Sequence, residues 1–259
     1  MPSLVGSEMC IRDRIKEVLE YLNEIYPFDT KEPWDNCGLL VGGEDNMVEK
    51  IMLTLDVTKE VVEQAEDAGA DLIVSHHPVI FHPIKSLKAG TAVFNLACAD
   101  IGVISVHTPL DGANGGVSEQ LAKTIGLKNI AHSEFSPMIV TGEIAETDVK
   151  KFAKKLKSAL GGSVQYSAFE REIKTVAVCS GAGGSLLMEL PAGYADAYVT
   201  GEAAHHNFID CEEQGTALFV CGHFETENII LDELEKVLSE KFPDIEIEKS
   251  QQKNPRLSI

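Results

Sequence analysis

Gly69-Ala70-Asp71-Leu72-Ile73-Val74-Ser75-His76-His77-Pro78 is the stretch on which the reading of this chain turns. Asp71 to Val74 reads as a strand, with Leu72 to Val74 its apolar stretch, behind a helix that Thr58 caps and that runs through Ala68. Pro78 cannot donate to a ladder, so pairing stops before it and leaves two histidines at a strand's end. A second stretch, Tyr194-Ala195-Asp196-Ala197-Tyr198-Val199-Thr200, matches the first at an offset of 125 residues between Asp71 and Asp196. The same offset places Met52-Leu53 on Ala177-Val178 and Val61-Val62 on Leu186-Leu187, and an offset of 116 places His107 on His223. The halves therefore read as a duplicated β-α-β-α-β unit, too long in period for a solenoid. That pattern predicts an α/β fold of two pseudo-symmetric lobes with sites at the C-terminal ends of strands.

Working outward, Ile15, Val18, Leu19 and Leu22 recur at helical spacing before Pro27, and Ile51 to Leu55 reads as a buried strand. A helix over 92–99 leads to a strand over Val103 to Val106, which finishes in His107-Thr108-Pro109-Leu110-Asp111-Gly112. In the second half, strands are expected at Thr175 to Cys179, Ala197 to Val199 and Leu218 to Cys221. Gly181 to Ser185 reads as a turn, Leu186 onward as a helix, and Gly222 to Asn228 as the start of a last long helix. The segment from Pro137 to Glu172, with a helix over 149–160, is the crossing between lobes. The lobes are placed at residues 15–130 and 131–259.

Lys and Arg number 22 against 41 Asp and Glu, a formal charge of −19, which disfavours broad contact with nucleic acid. Apolar residues make up 44% and no window holds the 18 or so uninterrupted apolar residues of a membrane helix, so no membrane role is expected. The opening MPSLVGSEMCIRDR resembles translated adapter sequence and lacks the order of a secretory signal, so residues 1–14 are set apart as a non-native leader. Cys37, Cys98, Cys179, Cys211 and Cys221 are scattered without a CxxC pair, which fits a reducing, cytoplasmic setting.

Chemistry concentrates where strands end. His76, His77, His82, His107 and His223 all stand at or just after strand ends. Adjacent residues of an extended strand point to opposite sides, so His76 and His77 suit two neighbouring ions better than one. His223 and Glu227 are four apart at a helix start and share a face. Asp111, four after His107, adds a carboxylate of the kind a pair of divalent cations needs. Imidazole and carboxylate donors without thiolate suit zinc, iron, manganese or nickel alike. His107, Glu202 and His206 are candidates for proton transfer or for hydrogen bonding to the ligands, and Trp34, Asp35 and Asn36 for the rim. Gly181 to Ser185 lies where a phosphate cradle would lie but lacks the spacing of a dinucleotide fingerprint.

Trp34 to Gly42, Ser75 to Leu87, His107 to Val117, Thr200 to His206 and His223 to Glu227 together resemble, in order and setting, the NGG-one-interacting-factor-three-like family, whose members are commonly labelled GTP cyclohydrolase I type two homologues. The resemblance covers about residues 15 to 259. It implies two intertwined α/β repeats, a dinuclear metal centre between them, two divalent ions per subunit and a homohexameric ring. Carried over by position, the ligands are His76, His77, Asp111, His223 and Glu227; His82 stands where the family often has arginine and is not carried over. The implied activity is metal-dependent hydrolysis of an anionic, nucleotide-like substrate such as GTP; the alternative is a ring-shaped metal-binding scaffold or metal-handling protein without catalysis.

Overall fold

Apolar side chains on both faces of the short central strands force helices onto both sides of each sheet. A computed structural model describes residues 13–168 and 170–257. Its first part holds α1 (Ile15–Ile25), β1 (Gly38–Val41), β2 (Lys50–Thr54), α2 (Lys59–Ala68), β3 (Leu72–Ser75), α3 (Ala92–Ala99), β4 (Gly102–Ser105) and the short α4 (Thr108–Asp111). Then come α5 (Val117–Thr124), β5 (Lys128–His132), β6 (Val140–Asp148), α6 (Val149–Leu160), β7 (Gln165–Tyr166) and β8 (Glu172–Cys179). After a 3-10 turn over Gly183–Glu189 follow β9 (Ala197–Thr200), α7 (His205–Gln214), β10 (Ala217–Val220), α8 (His223–Glu227), α9 (Ile230–Lys241) and β11 (Glu246–Lys249).

The strands form two sheets, ordered β1-β4-β3-β2-β11 and β5-β6-β8-β9-β10-β7. In the first, β11, β2, β3 and β4 run parallel and β1 is antiparallel; in the second, β8, β9 and β10 are the parallel heart. Period-two alternation divides the first sheet's core. Ile51, Leu53, Leu72 and Val74 pack with α1 and α9, while Met52, Ile73 and Val103 pack on the other face with Val61, Val62 and Leu96. The second sheet repeats this, with Val176, Val178 and Val199 against Phe152 and Leu156 of α6, and Ala177, Tyr198 and Leu218 against Leu187 and Cys211. Residues 230–249 thus pack on the first sheet although they follow the second in sequence, and residue 130 falls within β5.

The duplication is legible in hydrogen bonds as well as strand order. Asp71 Oδ2 accepts from the amides of Glu49 (2.7 Å) and Lys50 (3.0 Å), and Asp196 Oδ2 accepts from Lys174 (3.0 Å) and Thr175 (2.8 Å) at the same offset. Each aspartate ties the start of one parallel strand to the loop before the next. The third strand of each half is offset differently from the sequence alignment. Val106 N donates to Ser75 O and Cys221 N to Thr200 O, which makes Gly222 the counterpart of His107 and puts His223 one residue further on, inside α8.

Two helical expectations change. Leu186 opens no α-helix: Gly183 and Gly184 press their backbones onto β8 and β9, where a Cβ would meet Cys179 and Glu202, and Pro191 follows before a helix could lengthen. The last long helix is two, α8 and α9, joined by Asn228 and Ile229 in helical conformation. Residues 1–12 of the stretch set apart as a leader lie outside the described residues. Asp13 and Arg14 are described: Asp13 O accepts from Val48 N at 2.9 Å and Arg14 pairs with Asp45 at 3.1 Å.

Candidate metal centre

The C-terminal ends of β3, β4, β8 and β10 converge between the sheets and carry the titratable side chains. β3 delivers His76 and His77; β4 is followed by His107 and, at the end of α4, by Asp111; β10 is followed by α8 with His223 and Glu227. Three groups of donor atoms lie within 4.8 Å of one another: His76, His77 and His107; His77, His223 and Glu227; His76, Asp111 and Glu227. All five residues carried over as ligands are therefore together, from elements of both sheets, and His107 joins them.

The adjacent histidines do not point apart as an ideal strand would send them. His76 N donates to Thr54 O and His77 N to Leu55 O, so successive amides both face β2 and the chain has already turned out of the pleat. Their ring centroids are 4.9 Å apart at 44°.

Each imidazole is held by its Nδ1. That of His76 bonds Val106 O (3.1 Å), that of His77 Asp56 Oδ1 (2.7 Å), that of His107 Asp35 Oδ1 (2.8 Å), and that of His223 faces Glu202 Oε2 (3.3 Å). An acceptor at Nδ1 fixes ring and tautomer, leaving the Nε2 lone pair for a cation. The Nε2 atoms of His223, His77 and His76 stand 2.9, 3.1 and 3.9 Å from Glu227 Oε2, and His76 Nε2 is 3.6 Å from Asp111 Oδ1. Glu227 Oε2 and His76 Nε2 are nevertheless buried without a hydrogen-bond partner, the two approaches of His76 being too long for one. Buried polar atoms left this way cost about 1–3 kcal/mol each, and a cation between them would satisfy both. The donor set fits divalent metal ions on these grounds.

Gly181 closes the cradle. With φ +56° it adopts a conformation that favours glycine, and a Cβ there would collide with Glu227 Oε1. Ser180 Oγ lies 3.5 Å from Asp111 Oδ1 and Thr226 Oγ1 accepts from Gly181 N, so the end of β8 shapes the site without supplying a carboxylate or imidazole.

The electrostatics follow from this packing. Burial alone would lower the His77 pKa, but Asp56 and Glu227 outweigh it and raise it to about 10. Burial would likewise raise Glu227, yet the imidazoles of His223, His76 and His77 hold it well below the usual carboxylate range. Asp111 goes the other way: burial pushes it up to about 7, with His76 opposing and the charge of Glu227 adding to the rise. Asp35, 7% exposed, is lowered despite burial by His107, Thr108 and Cys37, and accepts from Thr108 Oγ1 at 2.5 Å.

Two clefts flank the cluster. One of about 570 Å³ is walled by Trp34, Phe81, Met138 and Leu186 and reaches His77, His107, His223 and Glu227. The Trp34 and Phe81 rings sit 5.8 Å apart, and Trp34 meets His107 edge-on at 5.9 Å. The other, about 480 Å³, lies beyond His77 and His223 and is bounded by Glu202, Phe224 and Arg256.

Known proteins place the chain. Residues 13–255 match the family described as Duf34/NIF3 (NGG1p interacting factor 3). The chain belongs to the NIF3 family. It is 32% identical over 225 residues to a Helicobacter pylori protein named GTP cyclohydrolase 1 type 2, covering 82% of this chain and 86% of that one. A Clostridium perfringens GTP cyclohydrolase 1 type 2 homolog is 29% identical over 241 residues, 88% of this chain and 92% of that one. Among solved structures, a Staphylococcus aureus hypothetical protein superposes with a TM-score of 0.89 at 29% identity, covering 96% of this chain and all of that one.

Within this NIF3-family fold the other sequence candidates separate. Glu202 reaches the cluster through His223. His206 does not: it is exposed in the first turn of α7 and belongs to none of the donor groups. Asp35 is no rim residue but the buried support of His107, whereas Trp34 is 56% exposed over the larger cleft. Sequence reasoning missed Asp56. Its signal was register: Thr54 pairs with Ser75, so Asp56 stands where His77 stands on the neighbouring strand.

Proposed function

We propose that this chain is a two-metal hydrolase acting on an anionic, nucleotide-like substrate. The observation that carries the reading is three imidazoles, those of His76, His77 and His223, held at Nδ1 and turned with Asp111 toward the orphaned oxygen of Glu227, with His107 beside the first two and an open cleft alongside. His77, His223 and Glu227 would hold one ion and His76, Asp111 and Glu227 the other, with His107 bordering both. When bound, such ions supply Lewis acidity toward water and toward a polarised bond. The open cleft favours catalysis over a closed structural site.

The protein's own groups have distinct tasks in this reading. Trp34 and Phe81 offer an apolar wall for a planar ring next to His107, and Asn36 Nδ2 steadies it by donating to Ile80 O at 2.6 Å. His107, its Nδ1 tied to Asp35, presents Nε2 for proton transfer, and Glu202 borders the second cleft as an alternative carrier. Arg256 lines the smaller cleft, where it pairs with Glu202, in a molecule of net charge −19. The name of the Helicobacter pylori relative makes opening of the GTP purine ring the first substrate to try.

Metal-loaded protein incubated with GTP should release formate, and His77→Ala should not. Equal formate from both would remove the cyclohydrolase reading. We also read the protein as a cytoplasmic homohexamer: the five cysteines among the described residues are free, and sedimentation velocity tests the assembly. Among the described residues no helix is long and apolar enough to cross a membrane.

A further inference from the structure

The described chain beyond β11, residues 250–257, stays on the body of the protein and passes the cluster. Ser250 N donates to Leu53 O at 2.9 Å, which carries the backbone past the end of β2. Gln251 N follows by donating to Gln64 Oε1 at 2.8 Å. Gln252 then turns its amide onto Asp56: its Oε1 accepts from Asp56 N at 2.9 Å and its Nε2 donates to Asp56 Oδ2 at 2.6 Å. The other oxygen of that carboxylate, Oδ1, is the one 2.7 Å from His77 Nδ1.

Four residues on, the pattern recurs. Arg256 pairs with Glu202 Oε1, while Glu202 Oε2 faces His223 Nδ1 at 3.3 Å. Between them Asn254 donates to Glu225 Oε1 at 2.8 Å and accepts from Arg256 N at 2.8 Å, folding the tail over the smaller cleft. Both carboxylates that orient the imidazoles of one ligand group, His77, His223 and Glu227, are thus gripped by tail side chains. The other group is supported from within the two sheets, by Val106 O at His76 and Ser180 at Asp111.

We infer that residues 250–256 form a clamp that tunes one cation position and not its neighbour, with Gln252 as its chief positioning residue. An amide donates and accepts at once, so Gln252 can hold both the amide and the carboxylate of Asp56. Asp56 so fixed keeps His77 in the orientation and tautomer that send Nε2 to a metal. Arg256 acts in the same sense on Glu202 from a more exposed place. The inference rests on the two-metal reading above and adds that the two positions differ in what controls them.

The experiment uses the full chain, stripped by chelator and titrated with Zn²⁺ in competition with a chromophoric chelator. Wild-type protein should take up two equivalents. Gln252→Ala should weaken one of them about 10-fold, as supporting partners of ligands do, and leave the other unchanged. Gln252→Glu is nearly isosteric, keeps the acceptor and removes the donor to Asp56, so it should weaken the same equivalent even if the alanine variant folds poorly. Gln251→Ala, whose contact is through the main chain, should change neither. A Co²⁺ absorption band altered for one equivalent alone in Gln252→Glu would report the same selectivity. Equal weakening of both equivalents, or of neither, overturns the clamp while the metal reading stands; absence of Zn²⁺ uptake by wild-type protein ends both.

Discussion

Glu227 belongs to two of the three donor groups, whereas Asp111 and His223 each belong to one. Glu227→Gln should therefore weaken both cations, Asp111→Asn one, and His223→Ala the other. The size follows from the geometry: imidazole nitrogens stand 2.9 and 3.1 Å from Glu227 Oε2, so a cation held jointly by them and the carboxylate would sit within about 3 Å of that oxygen. At an effective dielectric constant of about 20, a unit charge there is worth about 5 kcal/mol. Burying a neutral amide costs less than burying a carboxylate, which returns part of that and leaves a net loss of about 3 kcal/mol, on the order of 100-fold in Kd. Calorimetric titration of chelator-stripped protein, with elemental analysis after dialysis, reads both stoichiometry and affinity. If Glu227→Gln retained two tightly held ions, or if Asp111→Asn and His223→Ala lost the same one, the shared-carboxylate arrangement would be wrong.

Gly181→Ala should abolish high-affinity metal uptake while leaving the circular dichroism spectrum near wild type, because the added methyl displaces Glu227 but not the sheets; unchanged uptake would show that Glu227 does not need its present position. Asp196→Asn should destabilise the protein by about 1–2 kcal/mol in urea at neutral pH, since its carboxylate accepts from Lys174 N, Thr175 N and Thr175 Oγ1. Although burial would raise it, those hydrogen bonds lower the Asp196 pKa below 3.8. Its stabilisation is therefore complete above the unfolded value and fades as pH falls toward the folded one, so the gap between variant and wild type should narrow below about pH 4. A gap that widened in acid would refute that account.

The strand grammar was legible because the central strands are short apolar runs bounded by breakers, and the duplication because Asp71 and Asp196 do the same job at the same offset. Of the five ligand candidates, His76, His77 and His223 stood out as imidazoles at strand ends, whereas Asp111 and Glu227 were marked only by a spacing of four from a histidine and by the family resemblance. Their supports were harder to see. Asp56 and Asp35 look like ordinary loop aspartates, and only strand register and a distant threonine reveal them. Gln252 meets its partner across 196 residues and Arg256 reaches back past α7, β10, α8, α9 and β11 to Glu202, separations at which no local pattern can signal contact. His206 and Glu202 were equal candidates in the sequence, and only the structure separates them, with His206 exposed in the first turn of α7 and Glu202 against His223. The 3-10 turn in place of a helix after Ser185 records backbone crowding by two glycines, which hydropathy cannot register.

The return of α9 and β11 to the first sheet bears on how the molecule is made. While a ribosome is still extending the chain, β2 lacks an outer neighbour and the apolar face beneath α9 lacks its cover. His76 and Asp111 are synthesised long before Glu227, and Gln252 and Arg256 follow later still. The cradle thus cannot be completed during early elongation, and any cation that needs Glu227 would have to wait for the second half of the chain.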